Sequence, residues 1–515
     1  MVAYIVAKLQ NSFQKSRCYQ HLQILLPLLG LYLFLAFYRI GYQSLWEDEY
    51  SSLQRVTFSP ISIWKDGHGF LYYAFLYVWV QLGTSEFILR SLSVFFGAAA
   101  VCLIYALGHN LLHRRPAVIA TAVFATSPYL IWYSQEARYI TLMIFGALLT
   151  TYAFRRLILG PRFGWWVGYA ITVLLSSLSF LSTLILPVIH GIHLLGYRSR
   201  RCLLKKWLVC QLVVFALFGW WFVNGTHFWR VWMTNQTTQQ ENAGDNMKLL
   251  PFSGDWNNVR PAVLPYTFFA FSAGFSLGPP PRELYADRTF APLVPYAPYL
   301  IVLSILYGGL VLSGLLALDG ERESRMFLIL WMAVPVLGVF ALAKIFDVFY
   351  DVRYVAMALP AYLLLLAAGI TRFRRAWVQL ALMSAVLAVH GTALANYYFE
   401  PKYAREDTRS AARFLESAAD SQDVALVVGT LSSLPHYYRG TLPIVDFSSL
   451  NGASKSLSGR LNKVAANHHR LWLVQIRPWQ VDRVGRVKAA LDNSYEIIER
   501  QHFPGVDVYG YEVSR

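Results

Sequence analysis

Three acidic residues stand side by side in SLWEDEY, where Glu47, Asp48 and Glu49 follow an apolar run that ends near residue 40. Adjacent carboxylates repel, so at least one of the three is expected to keep its proton to higher pH than usual, which suits a general base. A solvated acidic loop has the same composition, and spacing alone leaves both readings open. The same loop closes on KDGHGFLYY, where His68 is placed either to bond a phosphate or sugar or to act only as an interfacial polar residue. A second cluster, YSQEARYI, packs Gln135, Glu136 and Arg138 between two apolar runs. Charges that close to hydrocarbon are costly, so they either pair as a structural cap or serve a site. A third, KIFDVFYDVRYVAMALP, carries Lys344, Asp347, Asp351 and Arg353. An arginine there holds a phosphate bidentately or snorkels as an anchor.

The elements that position these clusters are membrane helices. Of 515 residues 56% are hydrophobic and 14% charged, and the mean hydropathy is +0.40, outside the range of soluble domains. Apolar stretches of spanning length fall at 21–40, 88–111, 116–133, 140–158, 165–182, 183–197, 207–224, 297–318, 326–343, 355–371 and 376–396, about eleven in all. The join between 165–182 and 183–197 is tight. The stretch 70–83 is too short to cross and reads as an interfacial or re-entrant helix. The net charge of +16 sits in short clusters between apolar runs, so it orients helices and does not mark a nucleic-acid face. If 70–83 does not cross, Arg114-Arg115, Arg155-Arg156, the run 198–206 and the run 372–375 share the side of the N-terminal Lys8 and Arg17, which is then cytoplasmic.

That topology exposes 41–87, 134–139, 225–296 and 344–354 on the other face, with a tail from about 397. The three chemical clusters therefore converge on one side, as a cavity between helices requires. The expected organisation is a transmembrane domain over 1–396 and a small extracytoplasmic α/β domain over 397–515, in which VALVVG and RLWLVQI are strands and 455–467 and 479–491 helices. The long segment 225–296 reads either as a mobile lid over the acceptor site, with Glu241, Asn242 and Arg282 touching the acceptor, or as a plain surface loop. The topology puts all four cysteines in the membrane or on its cytoplasmic side, and no disulfide framework is implied.

Taken together, WEDE at 46–49, HGFLYYAFLYVWVQLGTSEFILRSLSVFFG with its G-x-x-E-x-x-x-R-x-x-S run, SPYLIWYSQEARYITL, DVRYVAMALPAYLLLLAAGI and YAREDTRSAARFL resemble the GT-C superfamily of integral-membrane glycosyltransferases. The similarity is to its branch of protein O-mannosyltransferases and lipid A aminoarabinose transferases, glycosyltransferase family 39-like, and it covers most of the chain. It implies an α-helical polytopic membrane protein with an extracytoplasmic α/β tail, residing in the plasma (inner) membrane. It also implies a polyprenyl-phosphate carrier of one hexosyl or pentosyl unit as donor, a lipid, glycan or protein acceptor, and Asp48 as catalytic base with Glu49 as its partner. Arg353, Tyr354, Arg138, Glu136, His68 and Lys344 are the expected contacts to substrate and lipid phosphate. This chain has His-Gly-Phe-Leu at 68–71 where the family often has His-Pro-Pro-Leu, and Glu47 is an additional carboxylate. No cofactor is required by such a displacement; a divalent cation, held by Asp48 and Glu47, is left open. A transporter or flippase of a lipid-linked sugar is the rival reading, but it calls for inverted repeats and broken helices, which the sequence does not show.

Overall fold

The computed structural model describes the chain except for residues 1, 59–62, 64–68, 226–260, 287–290, 319, 347–349, 430–432, 448–456, 483 and 514–515. Among the described residues eight helices are long and apolar enough to span a bilayer, or nine if a bent pair is counted as one. Three of them form the centre of the bundle: Val352–Thr371, Ile140–Leu159 and Glu86–Leu112 are buried over 89%, 72% and 56% of their apolar windows, whereas the remaining five are at most one-third buried. The outer helices turn Phe34, Leu212, Trp220, Ile305 and Leu380 outward, as lipid-facing surfaces do.

Close approach at the centre depends on small residues. A Cβ on Gly369, in the helix Leu359–Thr371, would lie 1.9 Å from the Leu310 carbonyl oxygen, and one on Gly314 would lie 2.0 Å from that of Leu365. The helix Ala297–Ala317 therefore crosses at backbone contact, as small residues permit in membranes.

Two of the expected spans are shorter than anticipated. The pair 165–182 and 183–197 forms the helix Phe163–Ser179 and a 3₁₀ turn leading into Ile185–Gly196, with Phe180 extended between them. At 17 residues the first reaches only about 25 Å, below the hydrocarbon thickness. The expected span 116–133 is broken: Arg114–Ala125 and Pro128–Ser134 meet at 51°. Pro128 has no N–H to continue the first helix, and Ser127 caps the second by accepting from Leu130 N. The break corrects the expectation of unbroken helices. The short stretch at 70–83 is a short apolar helix, Phe70–Leu82, as expected. Within 225–296 an unforeseen apolar helix, Val263–Ala273, packs Phe271 against Tyr129 and Tyr362.

The tail is a five-stranded sheet of order β2-β1-β3-β5-β4, with β1 Val424–Gly429, β2 Ile444–Asp446, β3 Arg470–Ile476, β4 Glu496–Phe503 and β5 Val506–Glu512. β1 runs parallel to β2 and β3, and β5 pairs antiparallel with β3 and β4. Strand alternation sends Ala425 and Val427 toward the helix Thr408–Ala418, and Val424, Leu426 and Val428 toward Leu457–Ala465 and Arg486–Ser494. Helices on both faces explain why β1 is apolar throughout.

Candidate active site

The acidic triplet opens the helix Glu47–Phe58, where carboxylates complement the positive end of the helix dipole. Successive helical residues point about 100° apart, so the three side chains leave one turn in different directions and find different cations. Glu47 lies 3.5 Å from Arg477 of the tail. Asp48 Oδ2 lies 2.6 Å from Arg353 Nη1 and 3.7 Å from Arg138 Nη2. Glu49 is fully buried between Arg90 and Arg405, at 2.8 and 2.9 Å, and also accepts from Ala137 N at 2.9 Å.

This separation corrects the expectation of a raised carboxyl as far as Asp48 and Glu49 are concerned. Burial alone would push Asp48 up, but Arg138 and Arg353 beside it, with Arg477 further out, hold it at about 2. Glu49 is likewise lowered, by Arg90 and Arg405 against its burial. The carboxyl that rises is Glu136: burial raises it and Arg405 offsets this only in part, while Glu49 and Asp48 push the same way as burial, to about 7.

Around Asp48 the three charged clusters meet. Arg353 Nε lies 3.0 Å from Asp351, whose carboxylate also accepts from Arg353 N. Arg138 donates to the Tyr73 hydroxyl at 3.0 Å, and its Nε is buried with no partner. Tyr139, Phe180 and Tyr354 stack in sequence, with ring centroids 4.8 and 5.3 Å apart. Arg138 lies over Tyr139 and Arg353 over Tyr354. Gly69 opens the short aromatic helix at φ +78°, and a Cβ there would lie 2.7 Å from Tyr139 and 3.0 Å from Tyr73. The result is a carboxylate and two arginines walled by aromatic rings, at the ends of the helices Ile140–Leu159 and Leu359–Thr371.

The sequence profile of the dolichyl-phosphate-mannose-protein mannosyltransferase family matches residues 67–222, which supply Tyr73, Glu136 and Arg138. Two crystal structures of ArnT from Cupriavidus metallidurans superpose on the chain, one in the apo state and one bound to undecaprenyl phosphate. Each has a TM-score of 0.56 and 12% identity, covering 94% and 95% of this chain and 97% and 98% of theirs. This chain has the GT-C fold. The archaeal oligosaccharyltransferase AglB from Archaeoglobus fulgidus, in complex with an inhibitory peptide and a dolichol-phosphate, shares that fold at a TM-score of 0.53 and 12% identity, over 97% of this chain and 75% of its own. No protein of curated function matches the sequence significantly.

Within the GT-C fold the expected site residues divide. Asp48, Arg138, Arg353 and Tyr354 come together. Glu49 and Glu136 do not face that centre: Glu136 pairs with Arg405 at 3.0 Å, so the Glu136–Arg138 ion pair is not formed and both glutamates belong to a buried network behind the site. Glu49, expected as the partner of Asp48, has its oxygens taken up by Arg90, Arg405 and the Ala137 N–H. Lys344, expected at the site, is exposed in the last turn of Arg322–Ile345. His68, Glu241 and Asn242 lie outside the described residues. Arg282 donates to the carbonyl of Lys402 at 2.9 Å, so it supports the start of the tail.

Four residues were not singled out by sequence. Arg90 and Arg405 hold Glu49; Arg477 bridges Glu47 and Glu406; Tyr73 carries Arg138. The G-x-x-E-x-x-x-R-x-x-S run held the signal for Arg90: Glu86 pairs with Arg409, Arg90 with Glu49, and Ser93 donates to the Glu136 carbonyl. One helix face thus anchors the first loop, the 134–139 segment and the start of the tail.

Among the described residues no group of three His, Cys, Asp or Glu side chains is arranged for a metal ion. Among the described residues the donors around Asp48 and Glu47 do not make up a divalent-cation site. Asp48 faces two guanidiniums and Glu47 a third, where a hard cation needs further oxygens.

Proposed function

We propose that this protein is a glycosyltransferase that moves one sugar from a polyprenyl-phosphate carrier to an acceptor hydroxyl on the extracytoplasmic side of the membrane. The observation that carries the reading is the Asp48 carboxylate held between Arg353 and Arg138. A carboxylate is the base such a reaction uses, and paired guanidiniums are what a departing phosphate needs. The carriers named in the matching structures, undecaprenyl phosphate for ArnT and dolichol-phosphate for AglB, support the same donor class.

In this reaction Asp48 takes the proton of the acceptor hydroxyl. Its oxygen attacks the anomeric carbon, and the bond from that carbon to the phosphate oxygen breaks with its electron pair going to the lipid phosphate. A single displacement inverts the anomeric centre. Charge accumulates on the phosphate as the bond breaks, and Arg353 and Arg138 stabilise it there. The unpartnered Nε of Arg138 is a donor free for the phosphate, and the Tyr139, Phe180 and Tyr354 rings supply an apolar wall for the first part of the lipid or the sugar face. When the phosphate engages the two arginines, their hold on Asp48 weakens, so the base becomes more basic as the donor binds. No step passes through a metal ion.

The test is to offer the purified full chain a panel of synthetic polyprenyl-phosphate sugars, with and without EDTA, and to measure free polyprenyl phosphate and the anomeric configuration of the product. Release of carrier with inversion, unchanged by chelation, is the expected result. Binding of carriers with no release of polyprenyl phosphate across the panel contradicts the reading.

A further inference from the structure

We infer that the end of the bundle opposite Asp48 carries a second phosphate site, one that holds the headgroup of an anionic phospholipid. Arg155 lies near the far end of Ile140–Leu159, the helix that begins beside Arg138. The two arginines are therefore roughly 25 Å apart along the helix axis, and the second cluster is distinct from the first.

Four elements meet there on one carboxylate. Glu323 Oε1 lies 3.4 Å from Arg155 Nη1 and 3.3 Å from His193 Nε2, and its Oε2 lies 3.5 Å from Arg200 Nη2. All three distances are long for charge-assisted bonds. Two guanidiniums share a single negative charge, and donors are left over: Arg155 Nε and Arg200 Nε are buried with no hydrogen-bond partner. The Arg155 and His193 side chains are 9% and 0% exposed. Leaving such groups unsatisfied is costly, and one carboxylate cannot supply enough acceptors. The tetrahedral oxygens of a phosphate can.

The surroundings favour a lipid phosphate over a free one. His193 lies in Ile185–Gly196, and Arg200 lies in the turn before Leu204–Gly225. These two helices expose Ile192, Leu195, Leu208 and Val209 beside the cluster, so acyl chains can lie along them while the headgroup sits among the basic residues. A basic pocket between spans is how membrane proteins recognise anionic headgroups.

Native mass spectrometry of the full chain titrated with phosphatidylglycerol or phosphatidylcholine tests the inference. The wild type is expected to retain phosphatidylglycerol in preference. Arg155→Gln and Arg200→Gln should each bind it about tenfold more weakly, while Arg374→Gln, at an exposed arginine on the same end, should leave binding unchanged. Arg200 is 28% exposed, so its variant decides the matter if Arg155→Gln fails to fold. Equal retention of both lipids, or an equal loss in Arg374→Gln, overturns the proposal. So does displacement of the lipid by inorganic phosphate at the same concentration, because the acyl chains would then contribute nothing.

Discussion

Consecutive residues on one helical turn ordinarily share solvent, but Glu47, Asp48 and Glu49 each meet a different arginine, and the protonation of Asp48 and Glu49 differs from that of neighbouring Glu136 because arginines outweigh burial at the first two. Asp48 is held at about 2, so in the free enzyme it stays ionised and the acid limb of kcat/KM should fall below about pH 4; an acid limb near 7 that is removed in Glu136→Gln would instead assign the proton to Glu136. The sign for stability is opposite in the two groups. Asp48, lowered from 3.8, contributes stability present above that value and lost as pH falls toward 2. Glu136, raised from 4.5 to about 7, contributes stability present below 4.5 and lost as pH rises through 7. Thermal unfolding between pH 5 and 8 should therefore show a downward slope in the wild type that is flatter in Glu136→Gln. At Arg353 a lysine cannot reach Asp48 and Asp351 together, and Arg353→Lys should lower kcat about 10²-fold or more with little change in unfolding temperature.

Elements deliver those residues through backbone contacts that a single methyl would disturb. Gly69 begins the aromatic helix with a left-handed backbone, and its missing Cβ leaves room for the Tyr139 and Tyr73 rings that flank Arg138. Gly69→Ala should cost about 1–2 kcal/mol and weaken transfer more than carrier binding, read from kcat and KM measured separately. The placement and order of the long apolar helices and the strands β1 and β3 were legible in the sequence because apolar length and alternation are strong local signals; the number of spans was not, since eight or nine among the described residues stand where about eleven were expected. The break at Pro128 was less visible because 116–133 carries no charge, and the extended Phe180 because it lies between two runs that both look helical. Asp48, Arg138 and Arg353 were legible as candidates because charges beside hydrocarbon need a reason. Their partners were not: which arginine meets which glutamate depends on helix phase and on contacts between segments hundreds of residues apart.

At the scale of the molecule, the tail is part of the site's foundation. Arg405, six residues beyond the last span, inserts between Glu49 and Glu136, while Arg477 in the tail closes on Glu47 and Glu406. Removing one member of a buried ion network leaves the others uncompensated. Arg405→Ala should therefore cost about 3–5 kcal/mol and abolish transfer, measured by unfolding and by turnover in the same preparation; unchanged stability would mean that the network does not hold the tail in place.

The central claim is that Asp48 accepts the acceptor's proton, and the most direct measurement is turnover and carrier binding by Asp48→Asn, which keeps the size of the side chain and removes its charge. The account predicts carrier binding within a few-fold of wild type, since the arginines remain, together with loss of polyprenyl phosphate release. Release at the wild-type rate by Asp48→Asn would contradict it.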